Sequence, residues 1–212
     1  MQVKVLIVCV DYLDYLQVTL PRVLEKFKDV RVITCGRDEN TQHYVINTKA
    51  ALYVTDVFYA SKAEFNKGAA IEEVLEWTEY DGWYLILDAD ILLPQGFCIP
   101  NNLHPANLYG MKRDHGKCRA QIGYFQLFNS TSPYLEKKPW YETCWKHAGN
   151  SDSCFYRRWP VSERRWLPGK LIHLGKPGQD WCGRTPEGRR ALSRYWILRK
   201  RVGNAEAERI KI

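Results

Sequence analysis

Apolar runs and helical periodicities alternate along the first ninety residues. Val3 to Val10 is a nearly unbroken apolar run ending at Asp11, which predicts a strand buried on both faces. Leu16, Leu20, Val23, Leu24 and Phe27 recur at helical spacing across Tyr15–Phe27, and Pro21 is expected to break that helix or delay its start. Val30 to Thr34 reads as a second strand, followed by the polar turn Gly36-Arg37-Asp38-Glu39-Asn40. This β-α-β opening implies a parallel sheet. Leu52–Tyr59 reads as a short strand holding Asp56, and Ala70, Ile71, Val74 and Leu75 predict a helix over Asn66–Trp77 with Gly68 in its first turn. Trp83 to Leu87 is a third buried run, and it leads straight into Asp88-Ala89-Asp90.

After Asp90 the pattern changes. Leu108–Met111 and the aromatic-rich Ile122–Phe128 read as strands, Trp140–His147 as a helix, and Asp152–Tyr156 as the start of another short helix. Lys170–Leu174 reads as a strand before a Gly/Pro-rich loop, and Arg189–Arg201 as a basic helix. The elements predict one α/β domain over residues 1–202, with a polar tail at 203–212. An apolar fraction of 45% is enough for a sizeable core.

Charge is unevenly placed. Between Tyr156 and Arg201 thirteen Lys/Arg face three Asp/Glu, a net of +10 in a chain whose total is +7. That excess suits an anionic partner such as nucleotide phosphates, nucleic acid or an acidic membrane surface, or else a solvated basic face. The seven cysteines (9, 35, 98, 118, 144, 154 and 182) are odd in number and widely spaced, with no Cys-x-x-Cys. This speaks against a disulfide framework or structural zinc and for a reducing, cytoplasmic setting. Val3–Val10 is too short for a signal peptide, and no segment is long enough to span a bilayer.

Asp88 and Asp90 carry the candidate chemistry. They share one side of an extended chain at the carboxyl end of a buried strand, where open α/β sheets place ligands, and so face one divalent cation. The bland alternative is a strand end whose carboxylates cap the next turn. Phe65-Asn66-Lys67-Gly68 brings a cation and free backbone N–H groups to a helix start, although Asn66 also reads as the cap. Asp11 at the first strand end is either a nucleotide contact or a turn residue.

With Ala148-Gly149-Asn150-Ser151-Asp152-Ser153-Cys154-Phe155 and Ile172-His173-Leu174-Gly175 added, the chain from Val3 to Arg184 resembles GT-A nucleotide-sugar glycosyltransferases. The likeness is to inverting family-2 and galactosyltransferase types, similar to small transferases often encoded by bacteriophages. The resemblance implies a Rossmann-like, mainly parallel mixed sheet, with residues 1–94 as the nucleotide-sugar half and 95–202 as the acceptor and catalytic half. It implies Mn²⁺ or Mg²⁺ on Asp88, Asp90 and His173, and a nucleoside-diphosphate sugar, UDP-sugar favoured, as donor. Asp11, Asp38, Asn66, Lys67, Lys176 and Arg184 become donor-binding residues. Asp152 becomes the base that takes the acceptor hydroxyl's proton, unless it only caps its helix. Where the family-2 pattern has Pro-x-Tyr-Asn, this chain has Val10-Asp11-Tyr12-Leu13.

Basic residues interleaved with aromatics (Tyr156 to Trp159, Arg164 to Trp166) suit a nucleic-acid groove, so Trp159, Trp166 and Trp181 are the expected acceptor contacts. Hydroxymethylated pyrimidine in DNA is the leading acceptor, flipped out of its stack, ahead of polysaccharide, lipid-linked sugar or protein. A non-catalytic nucleic-acid-binding module is the alternative. Nucleotidyl transfer is disfavoured, for want of a Walker-type loop or a second acidic cluster.

Overall fold

β1 (Val3–Val8), β2 (Asp29–Thr34), β3 (Ala51–Val54) and β4 (Trp83–Asp88) form the parallel half of a mixed sheet in the computed structural model, which describes residues 1–63, 65–114, 123–143 and 148–175. The other strands are β5 (Ile91–Leu92), β6 (Leu108–Arg113), β7 (Phe125–Asn129) and β8 (Arg164–His173), giving the order β3-β2-β1-β4-β7-β6-β8-β5. β7 runs antiparallel to β4 and β6, β8 is parallel to β6, and β5 is antiparallel to β8. The register Val3↔Trp83 to Val8↔Asp88 makes β1 and β4 end together, so Asp88 stands beside the exit of β1.

Both faces of the central strands are buried, as their continuous apolar sequence requires. On one face α1 (Leu13–Lys26) lays Leu16, Leu20 and Val23 against Val5, Ile7, Leu85 and Leu87. On the other, α3 (Lys67–Trp77) places Ala70, Ile71, Val74 and Leu75 against Leu6, Val8, Tyr84 and Ile86. Phe155 from α4 (Ala148–Arg157), with Trp140 and Trp159, completes that second layer. α2 (Glu39–Ile46) covers β2 with only Thr41 and Val45 buried.

Several elements differ from the sequence reading. α1 continues through Pro21, because the proline lies on the exposed face, where a kink disturbs no packing. α2 has too few apolar positions to show a period, and its start is set by the Asp38 cap. β3 stops at Val54, leaving Asp56 at the head of a 3₁₀ turn over Val57–Lys62. β8 is ten residues long, its alternation hidden by a bulge opposite Gly110–Lys112, where Gly169 takes φ +92°. Trp140 to Thr143 is not helical: the Tyr141 N–H donates to the Glu72 carboxylate and the Trp140 carbonyl accepts from Arg158. The expected basic helix over Arg189–Arg201 lies outside the described residues.

Candidate active site

Two short ion-paired groups flank the turn that follows β4. The first is centred on Lys67. Asn66 caps α3 by accepting from the Ala69 N–H at 3.0 Å, which fixes Lys67 as the first helical residue. The Lys67 ammonium donates to Asp88 Oδ1 at 2.7 Å, to Asp152 Oδ2 at 3.1 Å and to the Gly123 carbonyl at 3.3 Å. Lys67 is 3% exposed and Asp152 5%, whereas the Asp88 side chain keeps 35% of its surface in solvent. Asp152 lies in the second turn of α4, so it is not that helix's cap.

Burial pushes the Asp152 carboxyl up to about 6; Lys67 pulls against that rise and Asp88 adds to it. Burial alone would lower the Lys67 ammonium, but Asp152 and Asp88 outweigh it and hold it above the ordinary lysine range. Lys67 is therefore charged and Asp152 mostly ionised at neutral pH.

Two glycines let α4 come this close. A Cβ on Gly68 would meet Ser151 Oγ at 2.0 Å and the Glu142 carbonyl at 2.4 Å. A Cβ on Gly123, which also has φ +73°, would meet Asp152 Oδ2 at 2.4 Å.

The second group joins Asp90 to His173. β5 pairs Ile91 with His173 and Leu92 with Ile172, which carries the His173 ring to the Asp-x-Asp turn. The Thr19 hydroxyl holds that turn from α1 by donating to the Ala89 carbonyl at 2.7 Å. His173 Nε2 lies 2.9 Å from Asp90 Oδ2, and its Nδ1 lies 3.1 Å from Arg113 Nη1. A guanidinium can only donate, so Nδ1 accepts and Nε2 carries the hydrogen given to Asp90. Gly175 abuts the pair: a Cβ there would meet Asp90 Oδ2 at 2.1 Å.

Among the described residues no group of three or more His, Cys, Asp or Glu side chains is arranged to hold a metal ion. Asp90 and His173 nevertheless stand at the spacing of neighbouring ligands of one cation, while Asp88 is turned onto Lys67. One carboxylate and one imidazole fit Mn²⁺, or Mg²⁺ with more water, in a seat that a diphosphate would complete.

A third cluster lines the ends of β1 and β2. Asp11 adopts φ 61°, and its N–H donates to Asp38 Oδ2 at 2.6 Å. Asp38, expected on the donor, is turned inward: it also accepts from Thr34 Oγ1 at 3.3 Å and from the Thr41 N–H at 3.3 Å. Its carboxylate shapes the Asp11 turn and caps α2. Asn66 is likewise occupied, since its amide donates to the Thr143 carbonyl at 2.6 Å while its oxygen caps α3.

Arg37 and Tyr59 stand beside Asp11 and went unremarked as candidates in the sequence. Arg37 donates to the Tyr59 hydroxyl at 2.6 Å, lies 4.3 Å over its ring, and reaches 3.6 Å from Asp11 Oδ2. Arg113 and Gly123 were also missed, because the partners that give them meaning are distant in sequence.

Part of the expected acceptor surface is taken up within the fold, while Arg157, Arg165 and Trp166 stay exposed. Trp159 is 0% exposed, packed among Phe128, Tyr134 and Phe155, and its indole N–H donates to the Ala106 carbonyl at 2.9 Å. It is a core residue and cannot receive an acceptor. Arg158 donates to the carbonyls of Lys137, Pro139 and Trp140, and Arg164 donates to Trp159 while lying over the Tyr156 ring. Trp166 remains exposed at 37%. Lys176, Trp181 and Arg184 lie outside the described residues.

A parallel β3-β2-β1-β4 half and the reversal at β7 give the chain the GT-A, Rossmann-like fold found in nucleotide-sugar glycosyltransferases. TarS (1–349) of S. aureus has a similar structure, with a TM-score of 0.57 at 12% identity over 94% of this chain and 64% of that one. The WbbM bifunctional glycosyltransferase matches with a TM-score of 0.53 at 10% identity, over 99% of this chain and 52% of that one. Glucosyl-3-phosphoglycerate synthase of Mycobacterium tuberculosis, solved with Mn²⁺, UDP and phosphoglyceric acid, matches at 0.55 and 13% identity over 83% and 72%. The chain thus spans less than two thirds of the TarS and WbbM structures, and at these identities the likeness is one of fold. No protein-family profile and no curated protein matches the sequence. Among the described residues no helix is long and apolar enough to cross a membrane.

Proposed function

We propose that the protein is a glycosyltransferase that moves a sugar from a nucleoside-diphosphate donor to an acceptor hydroxyl with inversion at the anomeric carbon. The observation that carries this reading is the buried Asp152 carboxylate, lifted to about 6 and fixed 3.1 Å from the lysine that also holds Asp88. A base with that affinity for protons is ionised at neutral pH and still basic enough to accept one from a hydroxyl under attack. A single in-line displacement needs one such group, and no covalent intermediate.

Asp11, Arg37 and Tyr59 offer the nucleoside a carboxylate, a guanidinium and an aromatic face at the sheet's carboxyl edge. Asp88, part exposed, stands where the donor ribose would reach it. Asp90 and His173 would hold Mn²⁺ or Mg²⁺, which when bound offsets the charge of the departing nucleoside diphosphate. Asp152 takes the acceptor's proton as the new glycosidic bond forms. The mycobacterial synthase, solved with Mn²⁺ and UDP, supports a UDP-sugar and a divalent metal here. The acceptor is assigned only as a hydroxyl compound. The DNA reading has lost Trp159, Arg158 and Arg164 to internal contacts.

The test is release of nucleoside diphosphate from a panel of nucleotide sugars, with Mn²⁺ or EDTA, for wild type and Asp90→Ala. Metal-dependent release that is lost in the variant is expected. No release and no nucleotide binding would overturn the proposal and favour a non-catalytic binding module.

A further inference from the structure

An ammonium group has three hydrogens, and Lys67 places them on three acceptors: Asp88 Oδ1, Asp152 Oδ2 and the Gly123 carbonyl. It is buried, and its sequence context, a helix start ahead of the Asp-x-Asp strand, would otherwise make it a phosphate ligand. The three acceptors belong to three separate elements: the end of β4, the second turn of α4 and the residue two before β7. We propose that Lys67 is a positioning residue, an internal strut that sets Asp152 against Asp88 and gives no hydrogen bond to the donor diphosphate. This inference rests on the glycosyltransferase reading above.

Three further observations support the strut. A Cβ on Gly68 would collide with Ser151 and one on Gly123 with Asp152, so both glycines leave room for α4 to bring the carboxylate onto Lys67. The Tyr141 hydroxyl donates to Gln126, and the Gln126 amide reaches the Asp152 backbone carbonyl at 3.5 Å, so α4 is held from behind as well. Among the described residues the titratable groups facing Asp152 are Lys67 from α3, Asp88 from β4 and the Tyr141 phenol, which burial keeps neutral; without Lys67, Asp88 is an unopposed like charge. Lys67 thus fixes both where the base is and at what pH it is ionised.

The two roles for Lys67 separate in one experiment on the full chain, measuring UDP–Mn²⁺ affinity by calorimetry and turnover against pH. A phosphate ligand and a strut predict opposite results for Lys67→Met. The strut predicts nucleotide affinity within about twofold of wild type. It also predicts turnover at pH 7 down by tenfold or more, with its acid limb moved up by about one pH unit, equivalent to roughly 1.4 kcal/mol. A tenfold loss of nucleotide affinity with the acid limb unmoved would overturn the strut. If Lys67→Met does not fold, Lys67→Arg carries the test. It keeps the charge but misplaces Asp152, so kcat falls at unchanged nucleotide affinity, and a raised nucleotide Kd overturns the inference. Wild type that neither binds nor turns over any nucleotide sugar would instead remove the glycosyltransferase reading, and this inference with it.

Discussion

Gly123 backs directly onto the Asp152 carboxylate: a single carbon added to it would lie 2.4 Å from Oδ2. The backbone entering β7 therefore seats the proposed base, and it also supplies a carbonyl to Lys67. Gly123→Ala is expected to lower kcat by about 10²-fold or more while the nucleotide Kd holds, because the base is displaced and the φ +73° backbone strained. Asp152→Asn should cost about 10²- to 10⁴-fold in kcat at unchanged nucleotide affinity. Steady-state rates with calorimetric UDP binding check both, and near-normal turnover in Asp152→Asn would remove it as the base.

The same carboxylate sets the pH dependence. Its ionisation near 6 means that kcat/KM should fall about tenfold per unit below that pH, as protonation removes the base. The sign for stability is the reverse. Burial makes the folded chain hold this proton more tightly than the unfolded one, so ionised Asp152 is a cost to folding above pH 6. That cost is relieved as pH falls toward the ordinary carboxylate range. An acid limb near 4 in wild type, measured by product release, would show that another group is the base.

Arg113 occupies Nδ1 of His173 and so keeps a hydrogen on Nε2, the atom facing Asp90. For that nitrogen to offer its lone pair to a cation, the hydrogen must move to Nδ1 and Arg113 must turn away. Arg113→Ala should therefore bind Mn²⁺ more tightly than wild type, and Asp90→Ala more weakly, both read by electron paramagnetic resonance of free Mn²⁺. Weaker binding in Arg113→Ala would mean that the arginine orients the imidazole for the metal.

Two substitutions separate structure from chemistry. Gly68→Ala meets a backbone carbonyl at 2.4 Å that cannot give way, so overpacking of about 1–3 kcal/mol outweighs the helix-propensity gain of about 1 kcal/mol and lowers Tm by several degrees. Trp159→Ala should cost about 3–5 kcal/mol by opening a cavity among Phe128, Tyr134 and Phe155. Chemical denaturation measures each. A Trp159 variant of unchanged stability with altered acceptor KM would return that residue to the surface.

The strand ends were readable because their signals are local. Apolar runs stopping at Asp11, Thr34 and Asp88 located the carboxyl edge of the sheet, and Asp152 and His173 stood out by the motifs around them. What each side chain does there was less readable. Lys67 meets Asp152 across 85 positions and Arg113 meets His173 across 60, and no periodicity encodes such meetings. The Trp159 misreading has the same origin: an aromatic among arginines looks like a binding face until the indole N–H finds Ala106, 53 residues earlier. Asn66 was legible as a cap by residue type, whereas Asp38 was not, because the helix it caps shows no apolar period; in both, capping uses up oxygens a ligand would need.

The pairing of β5 with β8 makes the Asp90–His173 contact depend on a long-range closure of the chain. Asp90 emerges from the ribosome 83 residues before His173, and only the register Ile91↔His173 brings them together. A polypeptide released before Arg164 retains β1 to β4 with Asp11, Arg37 and Asp88, but lacks the strand that delivers His173. In such a fragment Asp90 lacks its imidazole partner. Under the glycosyltransferase proposal, the cation seat is therefore completed only when β8 docks against β5.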